Sequence, residues 1–94
     1  MIEEIMVEQV HQGIDRTLKL VRAEREVQIE KWGTQTHEPE QWYTRLGEEL
    51  GEVGKELADG DHAEALNVAK YREECIHTAA VALAMVQCID DGVA

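Results

Sequence analysis

Phenylalanine is absent from these 94 residues, proline occurs once, and only four aromatic residues, two Trp and two Tyr, are present. A sheet-rich domain draws on aromatic and β-branched residues, so this scarcity argues against one. Basic residues are also few: nine Lys and Arg stand against twenty Asp and Glu, a net charge of −11. Binding to nucleic-acid polymers or to an anionic membrane runs on neutralising phosphates with basic side chains, so neither partner is expected. No apolar run approaches the ~20 residues of a membrane span, and the acidic start "MIEEIMVEQ" is unlike a secretory signal. Cysteine occurs twice, at Cys75 and Cys88. On one helix these thiols stand roughly 20 Å apart, beyond the ~7 Å limit for Cα atoms of a disulfide. Two unpaired thiols suggest a reducing cytoplasm.

What the chain has in quantity is Ala, Leu, Glu and Val, a composition that favours helices. Ile2, Met6, Val10, Ile14, Leu18 and Val21 step by fours and a three, predicting an amphipathic helix from Ile2 to about Trp32. Gly33 suits a helix stop, and residues 33–38 read as a loop. Pro39 suits the first turn of a second helix running to about Ala58, with Tyr43, Leu46, Leu50, Val53 and Leu57 as its apolar face. "ADGD" is expected to break that helix, with Gly60 as stop and Asp61 as cap. A third helix then runs from about His62 to Asp90. Its second half, "IHTAAVALAMVQCI", is apolar nearly all round, which calls for burial on several sides. A chain this short buries only about 60–65% of its unfolded surface. The expectation is one all-α domain over residues 1–94, a bundle of three main helices completed by homo-oligomerisation.

The stretch "LGEELGEVGKEL" places four glutamates within twelve residues. On a helix Glu48, Glu49, Glu52 and Glu56 fall within about a 100° arc beside the apolar face. Hard divalent cations take oxygen ligands, and several carboxylates from two adjacent helices can hold one or two such ions. Glu49 and Glu52 are three positions apart and can face one point. Glu74 and His77 on the third helix have the same spacing, so antiparallel packing brings the two pairs together. A solvated acidic helix face would show the same composition. Glu74-x-x-His77 and Glu8-x-x-His11 also match the pairs that build di-iron sites in bundles, although Glu8 and His11 point away from the centre of the first stripe.

The ordered combination of motifs resembles a known family. "EELGEV" resembles the E-E-x-x-E element of the MazG-like all-α nucleoside triphosphate pyrophosphohydrolases, and "EECIH" stands where that group has E-x-x-D. "EREVQIEKWGTQTH" followed by "EQWYTRLGEELGE" is similar to a bacterial and phage branch with E-R-x-x-Q-x-x-K-W-G-x-Q-x-H before the acidic helix, and "AAVALAMV" to that branch's last helix. The resemblance spans roughly residues 22–90. It implies a homodimer or homotetramer that cleaves a nucleoside triphosphate to monophosphate and pyrophosphate. It places Glu48, Glu49, Glu52 and Glu74 in the catalytic elements, with Mg²⁺ held by acidic residues. A cation has to come between carboxylates and triphosphate, and it would neutralise developing charge and activate water.

His77 departs from the pattern, replacing an aspartate. An imidazole is a poor Mg²⁺ ligand, so the expected set of Glu49, Glu52, Glu74 and His77 would favour Mn²⁺, hold fewer ions, or leave a weak or inactive protein. By the same resemblance "KWGTQTH" is the nucleotide-contacting stretch. Lys31 would meet a phosphate, Gln35 and His37 would hydrogen-bond the ligand, and Trp32 or Trp42 would stack on a base. Arg45 and Lys55 read as surface charges, and Arg25 and Gln28 as braces. The alternative to an enzyme is a helical homo-oligomer that binds nucleotide and metal, or a partner, without turnover.

Overall fold

In the computed structural model, which describes residues 2–33, 37–62 and 66–92, three helices follow one another and no strand occurs among the described residues. They are α1 (Ile2–Trp32), α2 (Pro39–His62) and α3 (Val68–Asp90). The fold is all-α, as the composition implies.

The helix ends follow local chemistry. Gly33 closes α1 with φ of 78°, and its N–H reaches the Ile29 carbonyl. A side chain at that positive φ is strained, which is the reason for glycine there. At the start of α2, Pro39 occupies the first turn and the Gln41 side chain accepts the Glu38 N–H at 2.9 Å. That is half of a capping box, with proline where no amide donor is needed. The expected break at Gly60 and Asp61 does not occur, because α2 continues to His62. The start of α3 falls instead at Val68, where the Asn67 side chain accepts the Lys70 N–H at 3.1 Å. Asn and Asp cap about equally well, and Asn67 stands directly before the residues that pack.

α3 packs against both α1 and α2, while α1 and α2 make no close backbone approach among the described residues. This central position answers the demand of its apolar second half. Ala80, Val81, Ala84 and Cys88 are buried, and small residues let the flanking helices come close. Trp42 is 6% exposed and joins Val81, Ala84 and Cys88 in the core, with Leu46 and Met85 packed against them.

Of the apolar face expected for α2, Leu46 and Val53 turn inward, but Tyr43 is 74%, Leu50 59% and Leu57 43% exposed, and Trp42 and Glu49 turn inward in their place. The large indole, one position from the tyrosine, sets which stripe faces α3. On α1 the stripe buries Val21, and Met6, Val10, Ile14 and Leu18 are exposed. The contact of Glu24 with His77 places the start of α3 beside the middle of α1, so roughly the first twelve residues of α1 overhang. The radius of gyration is 16.0 Å, against about 13 Å for a compact domain of this length.

Candidate metal centre

His77 is half-buried on α3 where both other helices approach, and four carboxylates surround it. On the Nε2 side, Glu24 Oε1 of α1 lies at 3.4 Å and Glu73 Oε1 at 3.9 Å. On the Nδ1 side, Glu74 Oε2 lies at 3.4 Å and Glu49 Oε2 of α2 at 3.9 Å. Glu24, Glu49 and Glu74 are only 19%, 19% and 21% exposed, while Glu73 is 63% exposed and forms the rim. One ligand atom from each of Glu49, Glu74 and His77 lies within 4.8 Å of the other two, a spacing that a single cation can bridge.

Helix register produces this meeting. Glu74 and His77 are three apart and so share a face. Glu49 lies one turn from Arg45 and two from Trp42, on the inward stripe of α2. Glu24 belongs to the α1 stripe that also carries Val21 and Gln28. All three helices therefore put polar groups at a level where an ordinary bundle puts leucine.

The cluster is electrostatically costly without a cation. Burial is the main cause that raises the Glu49 carboxyl above its ordinary value of 4.5, and Glu74 and Glu52 push the same way. His77 and Arg45 oppose the shift without cancelling it. A bound cation removes this penalty, because it favours the ionised carboxylate.

The structure brings Glu49, Glu74 and His77 together as expected. Glu52 is exposed and acts on Glu49 through its charge, without a ligand atom in the cluster. Glu48 faces another direction and lines a shallow groove with His37, Gln41, Thr44 and Arg45. Glu24 is the residue that sequence reasoning missed. Its signal was its place on the Val21–Gln28 stripe, where an inward glutamate needs a partner. Glu8 and His11 are exposed about 20 Å back along α1 from Glu24.

Among the expected nucleotide contacts, Lys31 Nζ lies 5.3 Å from the centre of the Trp32 ring and the Arg45 guanidinium 4.4 Å from it. Arg45 is thus half-buried against an aromatic ring, which corrects its reading as a surface charge. His37 meets Trp42 edge-on, with ring centres 4.7 Å apart. Trp42 is buried, and its Nε1 has no hydrogen-bond partner among the described residues. Gln35 lies outside the described residues.

The carboxylates of Glu49 and Glu74 and the His77 imidazole form a mixed oxygen and nitrogen donor set, and Glu24 stands at the other ring nitrogen. Oxygen donors suit Mg²⁺, and the nitrogen shifts preference toward Mn²⁺ and later transition metals. No protein-family model, curated protein or solved structure matches the chain, so its chemistry has to be argued from the side chains around His77.

Proposed function

We propose that the chain is a metal-dependent nucleoside triphosphate pyrophosphohydrolase of the MazG-like kind, converting an NTP or dNTP to the monophosphate and pyrophosphate. The supporting observation is the convergence of Glu24, Glu49 and Glu74 from three helices on His77. In this reading Glu49, Glu74 and His77 hold the cation while Glu24, on the far ring nitrogen, orients the imidazole, with Mn²⁺ preferred over Mg²⁺ because of the imidazole. When bound, the cation supplies charge neutralisation for the triphosphate and acidifies water. Glu48 and Glu52 add negative charge from the solvent side. A net charge of −11 explains why a phosphorylated substrate depends on the cation to approach.

The test is pyrophosphate release from each common NTP and dNTP, with Mg²⁺ and with Mn²⁺ separately. Pyrophosphate and monophosphate in equal amounts, faster with Mn²⁺, is the expected result. One observation favours a second reading, a helical homo-oligomer that binds nucleotide and metal, or a partner, without turnover. His77 stands among four carboxylates and, when protonated, neutralises part of the cluster unaided. Cation and nucleotide binding with no pyrophosphate released would select that reading.

We also infer a homodimer or homotetramer. Ile5, Val10, Ile14 and Leu18 of α1, Tyr43, Leu50 and Leu57 of α2, and Val86 and Ile89 of α3 are all exposed in the single chain. Apolar surface on this scale marks association faces. Sedimentation equilibrium at micromolar concentration is expected to give two or four times the chain mass, and a chain-mass species would refute the inference. The unpaired Cys75 and Cys88 fit a reducing cytoplasm.

A further inference from the structure

One helical turn from the carboxylate cluster lies a small cavity with the opposite character. It is lined by Arg25, Gln28, Trp32, Trp42, Arg45 and Val81, and it has a volume near 10 Å³. Gln28, Arg45 and Val81 are each four residues from Glu24, Glu49 and His77, so the two sites are successive layers about 6 Å apart.

Its wall is largely apolar, and the polar side chains on it, Arg25, Gln28, Arg45 and Trp42, all carry N–H donors. The Trp42 Nε1–H is buried and has no partner among the described residues. Arg25 has the Gln87 side-chain oxygen at 3.5 Å, and Arg45 has the face of Trp32. Neither guanidinium forms an ion pair with a carboxylate among the described residues. Arg45 acts on Glu49 through its charge without a carboxylate contact. A buried N–H left unpaired is costly, and the cavity that Trp42 lines is about the size of one oxygen atom. A water there would satisfy the indole, but Gln28 is the one lining side chain with an acceptor for its protons. An anionic oxygen accepts from all three donors at once.

We propose that Arg25, Arg45 and the indole N–H of Trp42 form a cradle for one phosphate group of a polyphosphate ligand whose other phosphates meet the cation at Glu49, Glu74 and His77. The identity of that ligand rests on the pyrophosphohydrolase reading. The cradle itself does not, because its donors act without a cation. The assignment gives Trp32 the role of holding Arg45, since the guanidinium occupies a ring face. It also makes the triphosphate tail, more than the base, the part of the substrate bound most tightly.

The test uses the full chain labelled with ¹⁵N. Two tryptophans give two indole N–H signals, and Trp42→Phe identifies which belongs to Trp42. Tripolyphosphate is titrated first without divalent cation. The Trp42 signal is expected to move downfield and saturate. Arg25→Gln and Arg45→Gln, checked for unchanged helicity, are each expected to weaken the titration roughly tenfold or more, the scale of a charge-assisted bond. A Trp42 signal that stays in place overturns the cradle, even if the protein turns over nucleotide. So does a shift that persists with equal affinity in both arginine variants, or one produced by a nucleoside lacking phosphate and not by tripolyphosphate. If the cation site fails and no turnover occurs, the cation-free titration still decides the cradle.

Discussion

Glu49→Gln is expected to raise the melting temperature of the metal-free protein at neutral pH, and to abolish both cation-induced stabilisation and pyrophosphate release. The two effects have opposite signs because one carboxylate causes both. Burial raises the Glu49 pKa in the folded chain above 4.5. Between 4.5 and the raised value the folded state binds more protons than the unfolded state. Stability therefore falls as pH rises through that window, and above it the full penalty is present. Glutamine does not ionise, so the variant escapes the penalty. Its advantage should be clear at pH 7 and should vanish as pH falls below the window. Saturating Mn²⁺ reverses the order. A ligand at one hundred times its Kd adds about 2.7 kcal/mol, which for a domain of this size is on the order of 10 °C or more. The natural chain should gain that shift and Glu49→Gln should not. Loss of a metal ligand should also lower turnover on the order of 100-fold or more. Melting curves across pH, with and without Mn²⁺, check the crossing. A variant that melts lower than the natural chain without metal, and shifts equally with it, would sink the assignment of Glu49.

The same physics explains how much was legible in the sequence. Three helices follow from composition and period, and the ends at Gly33 and Pro39 follow from backbone chemistry. The pair Glu74 and His77 was readable because spacing of three on a helix fixes a shared face. Glu49 joined them through antiparallel packing. The rotation of α2 was not readable. Tyr43, Leu50 and Leu57 make as regular a stripe as Trp42, Leu46 and Val53, and only packing against α3 chooses between them. That choice carries Glu49 inward and leaves Glu52 exposed. Glu24 went unread because period analysis looks for apolar residues, and at the level of His77 the inward positions are polar. The break after α2 was misplaced because two good caps, Asp61 and Asn67, compete and local preference does not separate them.

Replacing Trp42 with alanine should be the most damaging single change to the fold. The indole is 6% exposed and contacts a core made otherwise of small or flexible residues, Val81, Ala84, Cys88, Leu46 and Met85. Removing a buried Trp side chain typically costs about 3–5 kcal/mol through lost burial and the cavity left behind. A chain of this length has roughly 5–14 kcal/mol in total, so Trp42→Ala should remove a third or more of it. Small surrounding residues have little reach to refill the space, which puts the expectation at the upper end. Trp42→Phe should cost far less. It keeps an aromatic ring against His37, 4.7 Å away in the natural chain. It also removes an indole N–H that has no partner among the described residues, and deleting an unpaired buried donor recovers about 1–3 kcal/mol. Tyr43, the next residue, is 74% exposed, so Tyr43→Ala should leave the helices of a single chain in place. Urea unfolding followed by circular dichroism separates the three. A midpoint for Trp42→Ala close to that of Tyr43→Ala would mean that α2 is not held by the face described here. The carboxylate cluster would then lose the helix that delivers Glu49.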